Sequence, residues 1–244
     1  MKPADELLAL KFGGKSVAEN IQDAIQSEKL IENADGTLQL AGGRKSSVHW
    51  VYVRNGPSLG CNFLMDFLFK NVYAQSAVPQ GCSNCYKVKV VLRTLRQLVA
   101  AWGIAEGIAV QSKWGLDLNN AYSQNVYAGY FYVPGLDGAR AMYKVARELF
   151  AADPRIGPDV AMTIKRGCSE YEIAVGPSDS YTFTPEMAEL ESYLRSRFRE
   201  QKREDKGHVV LAEWVDTAYR MGDDTYLDFT RGRRRRAKTL TYDP

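Results

Sequence analysis

The apolar residues of this chain fall into short runs whose spacing changes from segment to segment, and each spacing predicts an element. Between Ala18 and Ile31 they recur at helical intervals, and NADG then marks a turn. ADGTLQLAGG predicts a short strand between turn signals. VHWVYV, 48–53, is a β-rich run stopped by NGPSLG. NFLMDFLFKNVY, 62–73, predicts a largely buried helix opening just after Cys61, and VVLRTLRQLVAAWGI, 90–104, an amphipathic one. The middle of the chain is the clearest. NVYAGYFYV, 125–133, reads as a strand, PGLDG breaks it, ARAMYKVARELFAA, 139–152, reads as a helix, and VAMTIKRGCSEYEIAV, 160–175, returns as a strand or hairpin. Residues 185–204 predict a highly charged helix with Pro185 in its first turn, and a short helix followed by a polar, extended tail closes the chain.

This strand–helix–strand order predicts an α+β fold: a mixed sheet with helices packed against it and helical N- and C-terminal extensions. With 244 residues the chain can bury a core without disulfide or metal staples. We expect one globular α+β domain over 1–230, centred on about 45–180 and carrying a four-cysteine metal site, followed by a basic C-terminal tail over 231–244. Hydrophobic residues at 45% and charged residues at 25% fit an ordinary globular composition. No run approaches the length of a membrane span, so no membrane partner is expected. The opening MKPADELLALKFGGKS, with Asp5 and Glu6 and no long apolar stretch, does not read as a secretory signal. A cytoplasmic setting follows, where thiols stay reduced and paired cysteines serve more often as ligands than as disulfides.

The four cysteines then become the main chemical signal. Cys82 and Cys85 form a CxxC in GCSNC, the spacing that lets two thiolates of one loop face one metal site; Cys61 and Cys168 would complete four ligands from elsewhere in the fold. Three of the four follow a glycine, in LGC, QGC and RGC, although glycine is only 20 of 244 residues. A cluster or zinc ion needs the chain to bend sharply around sulfur, and glycine permits that bend. Structural zinc sites usually draw on two local ligand pairs. Only one pair is local here, so the scattered set favours a [4Fe–4S] cluster, with zinc the alternative. A dithiol CxxC should open a helix after a strand, and AQSAVPQG has little strand character. Four reduced cysteines packed in a core are the bland reading, and the glycine pattern and the CxxC weigh against it. Lys87, Lys89, Lys165 and Arg166 are placed to offset the charge of thiolate-bound iron. The CxxxCxxC of radical enzymes that cleave S-adenosylmethionine is absent.

Charge adds a second signal. The net charge of +3 is carried by RGRRRRAK, 231–238; without its six cations the remainder, at 3 less 6, stands at −3. Arg231, Arg233, Arg234, Arg235, Arg236 and Lys238 would engage phosphates and release counterions, which makes nucleic acid the expected partner. Tyr226 and Phe229 just upstream could stack on bases. The helix 185–204 carries Arg195, Arg197, Arg199, Lys202 and Arg203 among acidic residues and is the candidate surface for a protein partner. SKWGLDLNNAYSQN, 112–125, is polar and aromatic enough for a substrate loop.

KFGGKS, 11–16, is not a phosphate loop, which needs glycine where Ala9 stands. LALKFGGKSV resembles the first strand and glycine turn of aspartate kinases over some ten residues, with Lys15 in place of the small residue expected there. Nothing downstream continues that resemblance, and a glycine turn ahead of a helix accounts for the segment.

The expectation is therefore an iron–sulfur protein that binds nucleic acid and acts as a nucleic-acid-modifying enzyme. One alternative is a non-catalytic zinc- or cluster-stabilised protein that binds nucleic acid or a partner. Another is an electron-transfer or oxidoreductase subunit. No catalytic residue is assigned.

Overall fold

An alternation of period two runs through the strands of the main sheet and decides what each of its faces carries. In the computed structural model the described residues are 2–41, 49–56, 60–118, 126–201 and 207–235, without the side chains of 207 and 208. The sheet combines β5 (Trp50–Arg54), β7 (Gln111–Leu116), β8 (Tyr127–Pro134), β6 (Cys85–Leu92) and β9 (Ala161–Arg166), in that spatial order. Every pairing in it is antiparallel. Successive side chains of a strand point to opposite faces. Val51, Val53, Val88, Val90, Leu92, Trp114, Leu116, Tyr127 and Phe131 therefore share one face, and all are buried. Against it pack α3 (Leu95–Glu106), α4 (Leu136–Ala152) and α7 (Gly207–Met221). Trp114 meets Phe131 and Phe150 edge-on at 5.3 and 6.1 Å. Trp214 of α7 stands edge-on to Trp102 and donates its indole N–H to the His49 carbonyl at 2.9 Å. The α+β architecture holds, with helices against a sheet and helical extensions at both ends.

A second core forms around the N-terminal segment. Here α1 (Ala4–Leu8), the hairpin of β1 (Lys11–Phe12) and β2 (Lys15–Ser16), α2 (Val17–Gln26) and the hairpin of β3 (Leu30–Glu32) and β4 (Leu38–Leu40) surround the helix Asn62–Val72. Ser16 starts α2 with a reciprocal capping box, its side chain accepting from the Glu19 N–H while Glu19 accepts from Ser16. The KFGGKS segment is thus a tight hairpin feeding a capped helix, and Lys15 pairs with Asp23. Helix Asn62–Val72 is π-wound, a winding that seldom persists beyond one turn. It buries Phe63, Phe67, Leu68, Phe69 and Val72, so two adjacent faces of one short helix serve two different cores. The α6 helix (Pro185–Arg197), started by a Thr184 cap that accepts from the Met187 N–H, covers it with Met187, Leu190 and Leu194.

Several expectations shift at their edges. Residues 90–92 finish β6, and α3 begins only at Leu95 behind a Thr94 cap, because Val90 and Leu92 alternate into the sheet core. The segment 160–175 is no hairpin: β9 ends at Arg166, Gly167 turns at φ 68°, and α5 (Ser169–Ala174) follows. Helix 185–204 ends at Arg197, after which Arg199 N–H bonds the Leu38 carbonyl; residues 202–206 lie outside the described residues. Within 112–125, residues 112–116 are strand and Trp114 is fully buried, so this stretch is not a loop; 119–125 lie outside the described residues.

Candidate metal centre and the cleft beside it

Each cysteine sits at the end of an element, where the chain is already turning. Cys61 precedes helix Asn62–Val72, and Cys82 closes the short 3₁₀ turn Gln80–Cys82. Cys85 is the first residue of β6, and Cys168 is the residue from which α5 starts. None of the four is in a disulfide. All four line one cavity of about 40 Å3, together with Leu64, Met65, Gly81, Lys87, Tyr132 and Tyr171. The glycines before them explain how the backbone reaches it. Gly60 and Gly167 take φ of 60° and 68°, a region that side chains rarely adopt. Gly81 needs room instead: a Cβ there would lie 2.6 Å from Leu64 Cδ2 and 3.4 Å from Glu191 Oε2.

The CxxC loop is held from both sides by charged groups that its own sequence does not contain. Glu191, buried on α6, accepts from the Gln80 N–H at 2.6 Å, the Gly81 N–H at 2.9 Å and the Tyr73 hydroxyl at 2.9 Å. Burial raises the Glu191 pKa, and those three donors oppose the rise. On the other side Arg166 donates twice to the Ser83 carbonyl, at 2.8 and 3.2 Å. Deeper in, the Tyr171 hydroxyl meets Cys82 Sγ at 3.2 Å, and its ring stands edge-on to Phe69 at 4.6 Å. A buried carboxylate left without donors costs several kcal/mol, so these contacts specify the loop as much as they stabilise it.

The electrostatics of the cavity are those of a buried thiol site with one cation. Burial pushes the Cys85 thiol up to about 11, and pushes Cys82 well above its ordinary value. Lys87, buried on β6, donates to Cys168 Sγ at 3.0 Å. Burial pulls Lys87 down, but Cys168 and Cys85 outweigh it and leave the ammonium above its usual pKa. Of the four cations read as compensating for thiolate-bound iron, Lys87 meets a sulfur directly. Lys165 instead bonds Ser169 and Glu172, and Arg166 holds the loop.

Cys61 and Cys168 also line a second, open space of about 780 Å3, and Met65, Lys87 and Tyr132 are common to both. Its floor is the other face of the sheet: Tyr52 and Arg54 on β5, Gln111 and Lys113 on β7, Tyr132 on β8. Sequence reading passed over this cleft, although the period-two pattern of CYKVKVVL already sets Cys85, Lys87 and Lys89 on one side of a strand. Among the described residues no group of three or more His, Cys, Asp or Glu side chains is arranged to hold a metal ion. The cysteines stand around a space and do not converge on a point.

The basic segment gives a mixed picture. Arg231, Arg233 and Arg234 are exposed, whereas Arg235 pairs with Asp216 of α7 and donates its backbone N–H to the Tyr226 hydroxyl at 3.3 Å. Arg236 and Lys238 lie outside the described residues. Tyr226 is 3% exposed and edge-on to Tyr219, and Phe229 packs against the main core, so Tyr226 is not presented for base stacking. On α6 and just beyond it, Arg195 lies over Phe63 and reaches Glu200, while Arg199 pairs with Asp35. No helix among the described residues is long and apolar enough to cross a membrane. Comparison of the chain with known protein families, with curated proteins and with solved structures gives no match.

Proposed function

We propose that this is a cytoplasmic iron–sulfur protein in which Cys61, Cys82, Cys85 and Cys168 hold a [4Fe–4S] cluster, and that it acts on nucleic acid. One observation carries the reading: cysteines from positions as distant as 61 and 168 line a single cavity. Four cysteines spread around one cavity suit a polynuclear cluster better than one zinc ion, whose four sulfurs must close to about 2.3 Å from a single centre. Cys82 and Cys85 line the inner cavity, whereas Cys61 and Cys168 line both it and the cleft. If all four ligate, the cluster serves structure or electron transfer. If three do, Cys61 or Cys168 would be the cysteine left free, since both also line the cleft, and the cluster would supply a Lewis-acid or redox iron there. Exposed Arg231, Arg233 and Arg234 support contact with a phosphate backbone.

The test pairs cluster reduction with binding. Dithionite should bleach the visible band of anaerobically purified protein, and Cys→Ala variants that remain folded should lose that band. Oligonucleotide affinity should fall with salt, and deletion of 231–244 should weaken it and lower the salt slope. Folded cysteine variants with an unchanged spectrum would sink the cluster reading. Salt-insensitive or absent oligonucleotide binding would sink the nucleic-acid reading.

A further inference from the structure

The sheet face that floors the cleft combines cations and aromatic rings in a regular way. In one row across the sheet, Tyr52 of β5 lies opposite Lys113 of β7, Lys113 opposite Tyr130 of β8, and Tyr130 opposite Lys89 of β6. The next row sets Arg54 beside Gln111 and Tyr132 beside Lys87. Lys113 stands out among these cations. Its ammonium lies 4.2 Å from the Trp50 ring centre and 4.9 Å from that of Tyr130, and among the described residues it has neither a hydrogen bond nor an ion pair. Ring faces attract a cation without neutralising it. Lys87, by contrast, has Cys168. The acidic residues of the rim are partly engaged: Asp66 pairs with Lys70 and Glu200 with Arg195, while Glu170 lines the cleft beside Cys168.

We propose that this cleft receives one nucleotide unit, its phosphate held by Lys113 and Arg54 and its base turned toward the wall formed by Cys61 and Cys168. The inference rests on the nucleic-acid reading above and names the site that reading lacks. A space of about 780 Å3 falls within the range of small-ligand sites, roughly 300–1,000 Å3. It does not hold a duplex, so a base must enter alone, from a single strand or flipped out of a helix. Tyr52 and Tyr132 supply flat apolar walls, and Lys113 and Arg54 supply the charge. Burial, then the neighbouring Lys87, lowers the Lys113 pKa to about 8 against the opposing pull of Glu170, Cys168 and Asp117, which leaves it largely protonated at neutral pH and, among the described residues, without a directly bonded counter-ion. A phosphate provides one.

The experiment titrates metal-loaded protein with a fluorescent single-stranded decanucleotide and, separately, with adenosine and uridine 5′-monophosphates, inorganic phosphate and acetate. The wild type is compared with Lys113→Met, with Arg54→Gln, and with the chain lacking 231–244. Lys113→Met should weaken mononucleotide binding about tenfold and remove about one unit of salt slope from oligonucleotide binding. Acetate should not compete. Thermal melts identify a variant that has merely lost its fold, and Arg54→Gln, on an exposed side chain, then carries the comparison. If the oligonucleotide binds through 231–244 alone and Lys113→Met changes nothing, the cleft inference is overturned while the nucleic-acid reading stands. If mononucleotides bind in a Lys113-dependent way and oligonucleotides do not bind, the cleft stands and the nucleic-acid reading falls. Equal binding of acetate and phosphate would overturn the nucleotide assignment.

Discussion

At the scale of single residues, Glu191 decides more than any cysteine neighbour. Its carboxylate accepts three hydrogen bonds, two from the backbone that leads into Cys82. Hydrogen bonds to charged groups contribute about 1.5–3 kcal/mol, and stranded buried donors add a penalty of their own. Glu191→Ala should therefore lower stability by about 2–4 kcal/mol in urea unfolding and reduce iron retention, with Glu191→Gln in between. An unchanged midpoint would show that α6 does not hold the loop. Lys113 gives a pH signature. Its folded pKa of about 8 lies below the unfolded value of 10.5, so between those values the unfolded state binds more protons and stability rises with pH. The rise should amount to about 1–3 kcal/mol between pH 8 and 10.5, and the difference between wild type and Lys113→Met isolates it from the other lysines and tyrosines that titrate there. Equal pH dependence in both proteins would contradict a buried ammonium held below its usual pKa.

The GC pairs of the sequence already showed where the backbone bends, and Gly60 and Gly167 do adopt positive φ. Glu191 was hidden because a carboxylate in a charged, arginine-rich helix looks like a solvated face; only the fold shows that α6 turns it inward. Tyr226 and Trp114 misled for the opposite reason. Aromatic residues beside basic or polar ones suggest stacking surfaces, and here the rings fill the core.

At the scale of elements, the helix Asn62–Val72 links the second core to the cysteines. Its Phe69 is 1% exposed and supports Tyr171, whose hydroxyl meets Cys82. Phe69→Ala should cost about 3–5 kcal/mol as a core truncation and lower iron content per folded chain. Phe67→Ala, equally buried but facing the N-terminal core, should cost a similar amount and leave iron content unchanged. Equal loss of iron in both variants would mean that the site responds to general destabilisation only. The helix itself was legible from its apolar run. Its π winding was not, because that winding changes which neighbours each side chain meets without changing composition. Lys87 of β6 was legible as part of an alternating strand but not as the lining of a cleft: alternation fixes which residues share a face and leaves open what stands above it.

At the scale of the whole molecule, the cysteine cavity lies where three pieces of structure meet. The sheet supplies Cys85 and Lys87, the π-wound helix and α6 frame the CxxC loop, and the β9–α5 turn supplies Cys168. Metal content should therefore depend on the integrity of both cores, and chelation of the metal should lower the melting temperature as a ligand-linked loss of stability. Deletion of 231–244 should leave metal content unchanged, since none of its described residues, 231–235, lines the cavity. The central claim is the cluster, and the most direct measurement is iron, zinc and acid-labile sulfide analysis of anaerobically purified protein, with its visible spectrum, for wild type beside Cys82→Ser. A [4Fe–4S] site gives brown protein with about four irons and matching sulfide per chain, and loss of both colour and iron in the variant. Colourless protein with about one zinc, or with no metal, would contradict it.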